Sequence, residues 1–61
     1  MDRTEKLSVS RTTTGVVVKV VIVEGGITAS YSLKTWEHNL ADSILSAKKG
    51  CNRYLEIAQG S

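Results

Sequence analysis

The sequence predicts a small α+β domain in the order β-β-β-α-β, with a mainly antiparallel sheet and one helix packed on one face. Seven of the eight residues in 16–23 are β-branched and apolar, which is typical of a central strand. Gly25 and Gly26 separate this strand from a second alternating segment, as in a tight hairpin. After Thr35 the apolar residues recur at helical spacing.

The first strand is predicted from a short alternating segment. Residues 1–5 are polar and are expected to be flexible. In residues 6–11, Leu7 and Val9 alternate with serines, which is the period of a half-buried strand. Threonine favours extended backbone, so this strand is expected to run to about Thr13.

The Gly-Gly turn also predicts the register of the second and third strands. A two-residue turn places Val20 opposite Tyr31 and Val18 opposite Leu33, with residues 27–34 as the third strand. One face is therefore predicted to form the core. If the loop between the first and second strands has an even number of residues, Leu7 and Val9 also belong to this face. That face comprises Val16, Val18, Val20, Ile22, Ala29, Tyr31 and Leu33.

The helix is predicted over residues 35–49. Thr35 is a suitable N-cap, and Gly50 is the expected residue just past the C-terminus. The stripe that would pack on the sheet consists of Trp36, Leu40, Ile44 and Ala47.

A short fourth strand is predicted over residues 53–58, with Leu55 and Ile57 on one face, and residues 59–61 are expected to be flexible. A right-handed crossover would lay this strand beside the first, giving the sheet order 3-2-1-4.

Composition excludes several classes of protein. With 61 residues, the chain is predicted to be one domain, 1–61, too small for a deep substrate cleft. Its single cysteine cannot form an internal disulfide. Lys19 interrupts the longest apolar run and the N-terminus has no apolar block, so no membrane association and a cytoplasmic location are expected.

The second sheet face is mixed, and three valines on it have no predicted helix to cover them. The face carries Val17, Val21 and Val23 among hydroxyls and lysines. Such valines are ordinary on an exposed strand. The favoured interpretation is that a protein partner, first of all a second copy in a homodimer, packs there or on a sheet edge, because a core this small supplies limited stability. Leu45 lies on the flank of the helix stripe and is expected to pack over the edge of the sheet; the alternative is that it is a further anchor for a partner.

Nucleic-acid binding is the alternative. Lys19 and Lys34 fall on the same open face, and Tyr54 joins them if Leu55 points inward. Cations and an aromatic residue on a sheet can neutralise phosphates and stack bases. Lys48, Lys49 and Arg53 could add a second cationic patch at the helix end. The scattered charges, with a net charge of +2, permit this function but do not demand it.

No catalytic set is evident, so the chain is predicted not to be an enzyme and to need no metal or other cofactor. His38 and Asp42 are expected to form a surface pair. Cys51 is expected to be a passive, part-buried thiol. The βββαβ order resembles the first half of ribonuclease H-like domains, but those need a carboxylate in the first strand, and residues 7–10 have none.

The predicted layout is similar to that of small bacterial and phage regulators, including antitoxins of the HicB kind and phage inhibitors of host enzymes, over about 50 residues. Together with the small size, the absence of a catalytic set and the uncovered second sheet face, this likeness leads us to expect a small regulator or inhibitor that acts by protein binding, encoded by a phage or mobile element and located in the host cytoplasm. Self-association is part of the same expectation.

Overall fold

A computed structural model describes residues 2–60. It contains three antiparallel strands followed by a helical segment. The strands are β1 (Arg3–Thr12), β2 (Gly15–Glu24) and β3 (Ile27–Thr35), and they pair in the order β1-β2-β3. A single 3₁₀ turn, Glu37–Asn39, leads into helix α1, Leu40–Ala58. The small α+β class is therefore confirmed.

The predicted strand register is confirmed. Val20 lies opposite Tyr31 on β3 and opposite Leu7 on β1, so all three side chains share one face. Val18 likewise lies between Leu33 and Val9. β1 begins at Arg3, so residues 3–5 belong to the strand rather than to a separate polar terminus. Met1 and Ser61 lie outside the described residues.

The predicted fourth strand is wrong, because residues 53–58 are the last turns of α1. Leu55 continues the helical stripe of Ala47 and Cys51, and all three are buried. The alternation of Leu55 and Ile57 imitates a strand only over this short window, and Ile57 is 71% exposed. The order 3-2-1-4 is thus not confirmed, and the layout shared with the HicB-like regulators lacks its last element.

The start of the helix also differs from the prediction. Thr35 is the last residue of β3, and its Oγ1 accepts a hydrogen bond from Ser43 Oγ at 2.6 Å rather than capping the helix. Trp36 has an extended backbone, and its side chain is exposed instead of packing in the core. Gly50 lies inside α1, not beyond its end.

The core lies between α1 and the face of the sheet beneath it. α1 contacts β3 and β2, and Leu40 and Ile44 pack at the margin of the core. Leu7, on β1, remains about half exposed, because α1 covers the sheet on the β2–β3 side. The buried apolar residues are Val16, Val18, Val20, Ile22, Ala29, Ala47, Cys51 and Leu55.

Candidate interaction surfaces

Polar side chains bridge the helix to the sheet on the β1 side. The Arg3 guanidinium donates hydrogen bonds to Glu24 Oε2 at 2.8 Å and to Asn52 Oδ1 on α1 at 2.6 Å. At the other end of β1, Arg11 Nε donates to Glu37 Oε1 at 2.7 Å. The arginine partners hold the pKa of both carboxyls, Glu24 and Glu37, below their usual range. The β1 side of the molecule therefore carries ion pairs, and one hydrogen bond ties β1 to the helix.

The opposite side of the helix, next to β3, presents apolar groups. We call the surface formed by Tyr31, Tyr54 and Ile57 the β3 flank; these side chains are 47%, 55% and 71% exposed. Ile57 is grouped with Tyr54 because it follows that residue by three positions on α1. Tyr31 lies against the helix at Gly50, where an added Cβ would meet its ring carbon Cδ2 at 3.3 Å. A side chain at position 50 would therefore crowd the ring.

A depression of about 470 Å³ opens on the β3 flank. It lies between the outer edge of β3 and α1. The residues that line the depression are Thr28, Ser30, Tyr31, Gly50, Cys51 and Tyr54. Among the described residues, Tyr31, Tyr54 and Ile57 make no ion pair and no side-chain hydrogen bond.

The sheet face remote from α1, which we call the open face, is built from cross-strand rows of three residues. Four successive rows hold only threonine, serine, valine and lysine. No carboxylate points to this face from the described strands, because Glu5 and Glu24 share the helix side with Leu7. The rows are Thr4–Val23–Thr28, Lys6–Val21–Ser30, Ser8–Lys19–Ser32 and Ser10–Val17–Lys34.

The residues predicted to form a partner interface are divided between two surfaces. Val17, Val21 and Val23 share the open face, as the register predicted. Leu45 lies on α1, on the other side of the sheet, and is exposed. The four residues therefore do not form one interface.

The predicted nucleic-acid contacts are divided in the same way. Lys19 and Lys34 occupy neighbouring rows of the open face, whereas Arg53 and Tyr54 belong to α1. Tyr54 could not stack a base beside those lysines, because the sheet separates them. The prediction placed Tyr54 on the open face only through the incorrect fourth strand.

Sequence reasoning missed two features that the structure brings out. Lys6 joins Lys19 and Lys34 on the open face, and its even spacing from Ser8 and Ser10 in the sequence could have revealed this. Ile57 follows Tyr54 by three positions on α1, and the sequence did not reveal this because residues 53–58 were predicted as a strand.

The remaining candidates do not assemble into a site. Cys51 is buried, its Sγ lies 3.7 Å from the carbonyl oxygen of Val20, and burial raises the pKa of its thiol. His38 and Asp42 are both exposed. Within residues 2–60 no three of the His, Cys, Asp and Glu side chains cluster as metal ligands would.

α1 is not apolar enough to cross a bilayer, and the described residues contain no other helix of membrane-spanning length. Comparison of the chain with protein-family models, with curated proteins and with solved structures found no match.

Proposed function

We propose that this chain is a small non-enzymatic regulator or inhibitor that acts by protein–protein binding and self-associates through β3. The observation that supports the proposal best is the β3 flank, where three exposed apolar side chains border an unpaired strand edge. An unpaired edge offers backbone donors and acceptors to an added strand, and adjacent apolar side chains supply the contact area.

The two edges of the sheet differ in their protection against pairing. β1 carries four charged residues, Arg3, Glu5, Lys6 and Arg11, whereas β3 carries only Lys34. Charged side chains are a common device that discourages pairing at an edge. Lys34 Nζ donates to Thr14 Oγ1 at 3.1 Å, so its charge is held toward the β1–β2 turn. The edge at β3 is therefore the one suited to pairing.

Antiparallel pairing of β3 with β3 of a second copy gives a consistent geometry. Tyr31 is the midpoint of β3, and a two-fold axis there would place the two Tyr31 side chains side by side. Because such an axis is perpendicular to the sheet, both helices would lie on the same face. Tyr54 and Ile57 of each copy would then approach the boundary between the two β3 strands.

The apolar area at the β3 flank is of the size that a weak dimer needs. Partly exposed aromatic and aliphatic side chains of this kind leave roughly 300 Å² to bury per copy. At about 25 cal/mol per Å², two copies gain on the order of 15 kcal/mol. Association costs about 4–15 kcal/mol; a middle value of about 8 kcal/mol leaves about 7 kcal/mol, which corresponds to a dissociation constant of roughly 10 micromolar.

Sedimentation equilibrium at protein concentrations from low to high micromolar tests the proposal on the unaltered chain and on two matched variants. Ile57→Lys places a charge on the β3 flank, whereas Leu45→Lys places the same charge about 120° away around the same helix, at a residue that is also more than half exposed. We expect the unaltered chain and Leu45→Lys to dimerise and Ile57→Lys to stay monomeric.

Two results would contradict the proposal. One is an unaltered chain that remains monomeric throughout this concentration range. The other is a dimer that Leu45→Lys disrupts and Ile57→Lys leaves intact, since that would assign the interface to the β1 side. Circular dichroism of both variants serves as the control for folding.

A further inference from the structure

The open face carries three lysines in a regular arrangement, and none of them belongs to the β3 flank. Three of the four rows of the open face contain one lysine each, and the lysine moves over by one strand from each of these rows to the next. Lys6 lies on β1, Lys19 on β2 and Lys34 on β3, so the three form a diagonal stripe across the sheet. Diagonal neighbours on adjacent strands lie about 7–8 Å apart, so the stripe is about 15 Å long.

The charge of the chain is segregated around this stripe. The open face has three lysines and no carboxylate over the described strands. The other five cations and the six carboxylates of the chain sum to −1, although the whole chain is +2. Attraction of a polyanion to this face is therefore not offset by acidic neighbours on the face itself.

The neighbours of the lysines are suited to phosphate oxygens. Serine hydroxyls flank Lys19 in its row, at Ser8 and Ser32, and the other rows add further serines and threonines. Lysine and hydroxyl side chains are the groups that contact phosphates in nucleic-acid complexes. A line of about 15 Å corresponds to four or five steps of a duplex at 3.4 Å per step.

Lys34 is positioned by its surroundings before any ligand arrives. Its Nζ bonds to Thr14 Oγ1 at 3.1 Å. Its Cε would lie 3.2 Å from a Cβ placed on Gly15, so the side chain passes over that glycine. An ammonium group has three donors, so two remain for an anion.

We propose that the Lys6–Lys19–Lys34 stripe on the open face binds the phosphodiester backbone of duplex nucleic acid without reading its sequence. Of the residues that make bidentate contacts with base edges, arginine, asparagine and glutamine are absent from this face of the described strands, and lysine alone is present. The described strands place no aromatic side chain there either, and base stacking on aromatics is what single-strand binders use. The proposal is independent of pairing through β3.

Salt dependence is the direct test. Three phosphate contacts predict that log K falls with log salt at a slope of about −2.7, so that affinity for a labelled 20-base-pair DNA duplex drops about 40-fold between 50 and 200 mM salt. We expect fluorescence anisotropy to give this slope for each bound chain. Two duplexes of unrelated sequence should bind equally, and single-stranded DNA of the same length should bind more weakly.

Matched double variants locate the surface. Lys19→Gln with Lys34→Gln removes two charges from the stripe, and Lys49→Gln with Arg53→Gln removes two exposed charges from α1. The first pair should reduce the slope to about −0.9, while the second should leave it near −2.7. Lys6→Gln alone, at an exposed position of the edge strand, should reduce the slope by about 0.9, which provides a test even if the first pair folds poorly.

Four outcomes would overturn the proposal. They are no duplex binding at 10 mM salt, equal losses in the two double variants, tighter binding of single-stranded DNA than of duplex, and tighter binding of vesicles containing anionic phospholipid than of duplex. The last would show that the stripe serves a membrane surface. Loss of dimerisation with retained duplex binding would leave this proposal standing and contradict only the role of the β3 flank.

Discussion

Leu55 is expected to contribute more to the stability of the fold than any nearby residue of α1. Its side chain is 2% exposed, whereas that of Ile57, two residues later and of the same size, is 71% exposed. Truncation of a buried leucine to alanine costs about 2–5 kcal/mol, through lost burial and the cavity that remains. Truncation of an exposed side chain changes stability by about 0.5 kcal/mol or less. We therefore expect a large loss for Leu55→Ala and almost none for Ile57→Ala.

The expected loss is large relative to the whole stability of such a domain. At about 0.05–0.15 kcal/mol per residue, a chain of this length has roughly 3–9 kcal/mol to lose. A destabilisation of about 3 kcal/mol, with a urea m-value near 1 kcal/mol/M, would lower the unfolding midpoint by about 3 M. Leu55→Ala would then be partly unfolded even without denaturant if the parent lies at the low end of that range.

Urea unfolding followed by circular dichroism measures both variants, at a protein concentration low enough to keep the chain monomeric. The dilution removes any contribution of Ile57 to self-association. Similar losses for Leu55→Ala and Ile57→Ala would refute the reasoning, because they would mean that both side chains face the core as in a strand. A loss below about 1 kcal/mol for Leu55→Ala would also refute it.

Three further predictions concern a glycine, an ion pair and the cysteine. Gly15→Ala should destabilise by more than about 1 kcal/mol in urea unfolding, because φ is +146° and the new Cβ would lie 2.9 Å from the Thr35 carbonyl oxygen. Unchanged stability would contradict this geometry. The pKa of Glu24 is lowered, chiefly by the hydrogen bond from Arg3. The ionised Glu24 carboxylate should therefore stabilise the fold at neutral pH, and this contribution should be lost as the pH falls from about 4.3 through the lowered pKa. Glu24→Gln should flatten that part of the stability–pH curve, and an identical curve would exclude the contribution. Cys51 should react with a thiol reagent much more slowly in native protein than in urea, since burial raises its pKa; equal rates would show that the thiol is accessible.

The hairpins and their register could be predicted from the sequence because their determinants are local. The Gly-Gly turn has positive φ at both positions, 58° and 80°, which fixes which residues of β2 and β3 face each other. The period of two then assigns Val18 and Val20 to one face and Val17 and Lys19 to the other. The open face, including its valines and two of its three lysines, followed from this reasoning.

The end of the chain could not be predicted locally. Leu55 and Ile57 alternate as in a strand, and Gly50 resembles a C-terminal cap, but Gly50 lies where the Tyr31 ring approaches the helix. The burial of Leu55 requires a sheet face beneath it. Short apolar segments do not distinguish strand from helix by themselves, so the error also misplaced Tyr54 and Arg53.

The sequence by itself determined the three strands, their register and the placement of Lys19, Lys34 and the three valines on the open face, since turns and alternation act between residues close in the chain. Only the tertiary structure decided that α1 continues to Ala58 and covers the β2–β3 side of the sheet. That position buries Cys51 and Leu55 and leaves Trp36 and Ile57 exposed. It depends on how the helix fits against the assembled sheet, which no local segment of the sequence specifies.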